Sequence, residues 1–215
     1  MTTQLVVVGC GGHGREVLAI VRAINDVAPG RPPWHPLGVV DDRPTEENLK
    51  RLQRLDVPYL GDVAWLHDAP PDARHVIGIG DPRVRRAVDQ RITGHRPPAA
   101  SLVHPDATVG PETVHGPGFV VFAGARVTTN VVIGRHVHLN QNVTVGHDST
   151  LDDYVSVNPL GVVSGDCHLA EGALVGTAAA VLEQLRVGRD STVGACACVV
   201  RDVPDGRVVK GVPAR

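Results

Sequence analysis

Counting in steps of six from Val103 lands on Val, Ile or Leu at sixteen of seventeen positions, ending at Val199, and only His115 departs from the series. A Val-rich sheet of hairpins would lose this register at each turn, yet the period holds without a slip over 97 residues. Two residues before each aliphatic the chain is mostly small or aliphatic, as at Ala107, Ala125, Val143, Cys167, Ala179 and Ala197. The residue just after the aliphatic is often a turn former, as at Gly110, Gly134, Gly146, Gly176 and Gly194. Two residues after the aliphatic, no Val, Ile or Leu occurs in this span. An inward aliphatic, an inward small residue and a corner every six residues specify a parallel β-helix with three short strands per coil. Seventeen such hexads make between five and six coils, roughly 27 Å tall at ~4.8 Å per stacked strand. Aromatic residues are only 3% of the chain, which suits a narrow interior filled in layers by Val, Leu, Ile and Ala.

The first hundred residues follow another rule. Gln4–Gly9 reads as a buried parallel strand, Gly9-Cys10-Gly11-Gly12-His13-Gly14 as a turn, and the apolar spacing after it as a helix. A second strand fits Pro36–Asp42, a third Arg74–Gly80, and a helix Pro82–Arg91. Proline clusters at 29–36, 70–71 and 97–98 mark loops and a linker. The order is a small Rossmann-like βαβαβ domain over residues 1–98, with the β-helix domain over 99–215. Gly9-x-Gly11-x-x-Gly14 carries the spacing that lets backbone N–H groups and a helix N-terminus face a phosphate. The same glycines would also serve as plain tight turns. Asp41-Asp42 and Gly80-Asp81 end two further strands on the carboxyl edge, where such sheets bind ligands. The acidic pair follows the glycines by about thirty residues rather than ~20, which favours a nucleotide-linked ligand over a nicotinamide dinucleotide.

A net charge of −2 gives no pull toward nucleic acid or anionic membranes. No apolar run approaches the ~18 residues of a membrane span. The N-terminus lacks the basic region of a signal peptide. Four cysteines without a C-x-x-C pair fit a reducing cytoplasm.

The Gly-x-Gly-Gly-His-Gly start, the strand ending in Asp41-Asp42, the hexapeptide prism and the closing Val203–Arg215 segment together resemble the sialic-acid O-acetyltransferase family of bacterial hexapeptide-repeat sugar acetyltransferases. That family includes UDP-4-amino-sugar N-acetyltransferases. The resemblance implies a left-handed β-helix, acetyl-CoA as co-substrate without a metal, and a homotrimer with active sites at subunit interfaces. It also implies a nucleotide-linked amino sugar as acceptor, with UDP as the nucleotide, held by Gly11, Gly12, His13, Asp41, Asp42 and Gly80. By the same resemblance His147 is the general base, Asp148 its orienting acid and Gly165 the oxyanion donor. Amino-sugar members usually carry Glu where this chain has Asp148. Ser156, Gly165, Thr177, Ala195 and Lys210 are the positions the resemblance assigns to the CoA side. The hexad phase independently puts His147 outside the prism, two residues after the inward Val145. An imidazole with an ordinary pKa of ~6.5 suits removal of a proton from an attacking amine or hydroxyl.

Three other readings stay open at this level. The acceptor could be a hydroxyl of sialic acid or another sugar. His136, His138 and His147 could form a zinc site shared between subunits, as in γ-carbonic-anhydrase-like hydratases. A non-catalytic nucleotide-sugar-binding protein would be expected to lose His147 or break the coil beside it, and this chain does neither.

Overall fold

The computed structural model describes residues 2–94 and 96–215. The chain divides into two compact units, one of Met1–Gly80 with Val84–Leu102, the other of Asp81–Arg83 with Val103–Arg215.

The first unit is a four-stranded parallel sheet. Its strands are β1 (Thr3–Val8), β2 (Trp34–Val40), β3 (Tyr59–Gly61) and β4 (Arg74–Ile77), in the order β3-β2-β1-β4. Helices α1 (Gly12–Asp26) and α2 (Glu46–Arg54) link the first three strands, and α3 (Pro82–Ile92) follows β4. The three-strand expectation thus gains β3 and α2. Only Leu52 of α2 is buried, so the helix gives little apolar periodicity, but its capping chemistry is in the sequence. The Thr45 hydroxyl accepts from the Asn48 N–H, Glu46 and Glu47 sit in the first turn, and Arg51 and Arg54 in the last. Strand order reverses between β1 and β4, which opens a crevice at their carboxyl ends. Helix α1 lies so close to β1 that a Cβ on Gly14 would fall 1.8 Å from the Gly9 carbonyl oxygen.

The second unit is a left-handed parallel β-helix with faces of seven, six and five strands. Strands eighteen residues apart pair in register, as Thr144–Val145 does with Val162–Val163. Val121, Leu139, Val157, Val175 and Val193 stack into one fully buried row of the core. The corners are built differently from a simple glycine turn. Gly110 and Gly146 have ordinary φ, and a Cβ on either would strike the backbone of the next coil. Positive φ falls two residues later, at Glu112, Asn130, Asp148, Asp166 and Gln184 along one edge, largely residue types that tolerate it.

Candidate active site

His147 leaves the strand Thr144–Val145 of the six-stranded face and opens the corner leading to Thr150–Leu151 of the five-stranded face. Its side chain is 63% exposed, as the hexad phase requires. The next residue, Asp148, has φ +60°, and this left-handed turn brings its carboxylate back onto its neighbour. Asp148 Oδ2 lies 2.6 Å from His147 Nδ1. A carboxylate only accepts, so Nδ1 carries the proton and Nε2 is left as an open acceptor. Asp148 Oδ1 accepts from the Asn130 amide at 2.6 Å. That bond first, and the bond to His147 second, hold the Asp148 carboxyl below the usual carboxylate range. It therefore stays ionised through neutral pH.

Gly165 sits one coil beyond His147, and the imidazole lies against its α-carbon. A Cβ there would stand 2.7 Å from both Cε1 and Nε2. Its φ is ordinary, so the ring, not the backbone, needs the glycine. The first corner residue does not donate its N–H to the coil's ladder, which is why Pro111, Pro117 and Pro159 can occupy the same phase. Among the described residues the Gly165 N–H meets no acceptor. It is a backbone donor left open beside a held imidazole.

Thr177 and Ala195 occupy the same phase at a different corner, between the seven- and six-stranded faces, stacked one coil apart. Their N–H groups likewise have no acceptor among the described residues. The exposed Lys210 runs its stem over Gly194, with Cγ 3.0 Å from where a Cβ would be. Lys210 thus lies beside Ala195 at that corner. Ser156 does not join either row. It pairs with His138 on the seven-stranded face and is 1% exposed, too buried to face a co-substrate. The imidazoles of His136 and His138 are buried while that of His147 is exposed. Among the described residues no three His, Cys, Asp or Glu side chains cluster as metal ligands.

In the first unit the carboxyl edge of the sheet holds a cavity of about 350 Å³, with Val8, Val63, Ile79, Val84 and Val88 as apolar walls and Asp42, Arg43 and Arg91 as charged ones. Asp41 braces the glycine turn, because its Oδ2 accepts from the Cys10 N–H at 2.8 Å and its Oδ1 from the Arg43 N–H. Asp42 pairs with Arg91 at 2.5 Å and accepts from the Val63 N–H. The Arg91 hydrogen bond chiefly holds Asp42 below the usual carboxylate range. Gly11 caps α1 with no side-chain bond, and no acid occupies the first turn. A Cβ on Gly11 would meet nothing within 4 Å, so packing does not demand this glycine; the open side of the turn is free for a ligand. His13 lies beside Gly80, and burial, aided by the Arg85 guanidinium, pushes its imidazole down to about 4, so it is neutral. Burial, with Asp41 beside it, pushes the Cys10 thiol up to about 12, too high for a nucleophile.

Asn130 and Arg91 were not read from the sequence. Counting back one coil of eighteen residues from Asp148 reaches Asn130, so a signal existed; nothing local places Arg91 opposite Asp42.

A family model described as the PglD N-terminal domain matches residues 4–92. The acetyltransferase domain of PglB from Neisseria gonorrhoeae FA1090, solved with acetyl coenzyme A, is 31% identical, with a TM-score of 0.82 over 100% of this chain and 99% of that one. The chain belongs to the bacterial hexapeptide-repeat sugar acetyltransferases. PerB from Caulobacter crescentus, solved with CoA and GDP-perosamine, is 29% identical, with a TM-score of 0.86 over 100% of this acetyltransferase and 97% of PerB. The GDP-perosamine N-acetyltransferase of Escherichia coli O157:H7 is 29% identical over 213 residues, 96% of this acetyltransferase and 93% of that protein. No helix among the described residues of this acetyltransferase is long and apolar enough to cross a membrane.

Proposed function

We propose that this acetyltransferase moves the acetyl group of acetyl-CoA to the amine of a nucleoside-diphosphate-linked amino sugar, with His147 as general base. The observation that carries the reading is one corner holding an imidazole oriented through Nδ1, a free Nε2, and an open backbone N–H at Gly165. His147 Nε2 takes the proton as the amine nitrogen attacks the thioester carbon. The Gly165 N–H faces the charge gathering on the carbonyl oxygen. The imidazolium, steadied by Asp148, then returns its proton to the departing CoA sulfur. The products are an N-acetyl sugar and free CoA thiol, and every proton is accounted for.

The open N–H groups of Thr177 and Ala195 suit the amide carbonyls of pantetheine, and Lys210 suits a CoA phosphate. The apolar cavity beside Arg91 suits a base and ribose, with the uncapped start of α1 toward the diphosphate. Resemblance of the sequence points to UDP, whereas PerB and the E. coli relative are named for GDP-perosamine. The test is therefore a panel of UDP- and GDP-linked amino sugars and free sialic acid, incubated with acetyl-CoA and read as thiol release. Turnover with an amino-sugar nucleotide and none with sialic acid is the expected result; turnover of sialic acid alone would make this an O-acetyltransferase.

Asp42→Ala frees Arg91 and disturbs the cavity wall, so it should raise KM for the nucleotide sugar while leaving acetyl-CoA binding unchanged. Isothermal titration with each substrate decides this, and equal loss of both would make the cavity structural.

We also propose a homotrimer. Leu160, Val162 and Leu182 are 55%, 39% and 40% exposed on and beside the six-stranded face, between the two corner rows, where a neighbouring β-helix would cover them. Light scattering at micromolar concentration should return three times the chain mass. A monomer would sink the proposal.

A further inference from the structure

We infer that Asn130 is a positioning residue for the acetyl transfer, acting through Asp148 on His147 across two coils of the β-helix. The inference rests on His147 being the base. Three side chains form a continuous line: Asn130 Nδ2 to Asp148 Oδ1 at 2.6 Å, then Asp148 Oδ2 to His147 Nδ1 at 2.6 Å. Both bonds lie at the surface, with the Asp148 side chain 49% exposed. An exposed carboxylate held only by an exposed imidazole would turn through its rotamers, and such a pair has little geometric persistence. Fixing one oxygen from the coil below leaves the other a single direction, toward Nδ1.

The amide is not there to build the corner. Asn130 has φ +55°, and its backbone N–H donates to the Pro111 carbonyl. The same backbone bond is made one coil on by Asp148 to Thr129, and two coils on by Asp166 to His147. That corner bond therefore forms whatever the side chain, and along this edge the neighbouring left-handed positions are Glu112, Asp148, Asp166 and Gln184. A carboxylate at position 130 would face Asp148 with like charge. Asn satisfies the left-handed backbone and supplies a donor, and Asp148, lacking the extra methylene of Glu, receives it one coil away.

The test uses Asn130→Gly and Asn130→Asp, since glycine adopts this φ freely and aspartate keeps size and backbone preference. Asn130→Gly should lower kcat about tenfold, the order for one hydrogen bond to a charged group, with KM for acetyl-CoA unchanged. Asn130→Asp should lower it further. In an Asp148→Gly background, Asn130→Gly should have no additional effect, because the partner through which it acts is gone. Nitrogen-15 shifts of His147 should report the Nδ1–H tautomer in the parent protein and a mixture of tautomers in Asn130→Gly. A normal kcat in both single variants, or losses that multiply in the double variant, would overturn the assignment. If His147→Ala is itself fully active, the base reading fails and this inference falls with it; if His147→Ala is inactive while both Asn130 variants are normal, only the inference falls.

Discussion

His147→Ala is expected to lower kcat by about 10²–10⁴-fold, the range for losing a positioned proton acceptor. The fold should be untouched, because the side chain is 63% exposed and touches none of the Val, Leu and Ile core. Acetyl-CoA binding should persist, since Thr177, Ala195 and Lys210, the residues proposed to hold it, stand at another corner. Asp148→Asn should cost less, for in the proposed mechanism the carboxylate only orients and steadies the ring. Steady-state kinetics, thermal melting and CoA titration on the two variants decide the matter. Near-normal turnover of His147→Ala would place the base elsewhere. Activity lost to a chelator and restored by zinc would favour the hydratase reading instead.

Gly165→Ala should lower kcat by at least about 10²-fold, the scale for displacing a catalytic group by an ångström. The added methyl would stand 2.7 Å from Nε2 and Cε1, so the ring must swing away from its place. Because the obstacle is the far end of a side chain and φ at 165 is ordinary, the coil itself has no reason to move. Tm should therefore hold while activity falls. Gly146→Ala makes the contrast: its Cβ meets the Gly165 nitrogen and the Ser164 carbonyl carbon at 2.5 Å, backbone that cannot step aside. In a His147→Ala background, Gly165→Ala should add almost nothing. A large additional loss there would mean that the methyl acts on the substrate rather than on the base.

The hexad count read forward with little loss because a β-helix maps sequence separation linearly onto space: six residues are one face and eighteen are one coil. His147 outside the prism, Gly165 directly beyond it, and Thr177 in one row with Ala195 follow from that arithmetic alone. The two-unit organisation and the glycine turn before α1 were equally legible, since both are written in local patterns. What arithmetic could not settle was where side chains turn once the phase is known. Adjacent residues on a strand point apart, and only the positive φ at 148 folds Asp148 onto His147. Ser156 shows the other failure, an outward phase that the folded chain nevertheless buries. In the first unit the sheet order β3-β2-β1-β4 breaks any linear map, so the short edge strand Tyr59–Gly61 and the Asp42–Arg91 pair, 49 residues apart, had no local signal. Periodic local interactions determine the β-helix from its sequence. The pairing of Asp41 with Cys10 and of Asp42 with Arg91 was chosen by packing between distant segments, which only the tertiary structure decides.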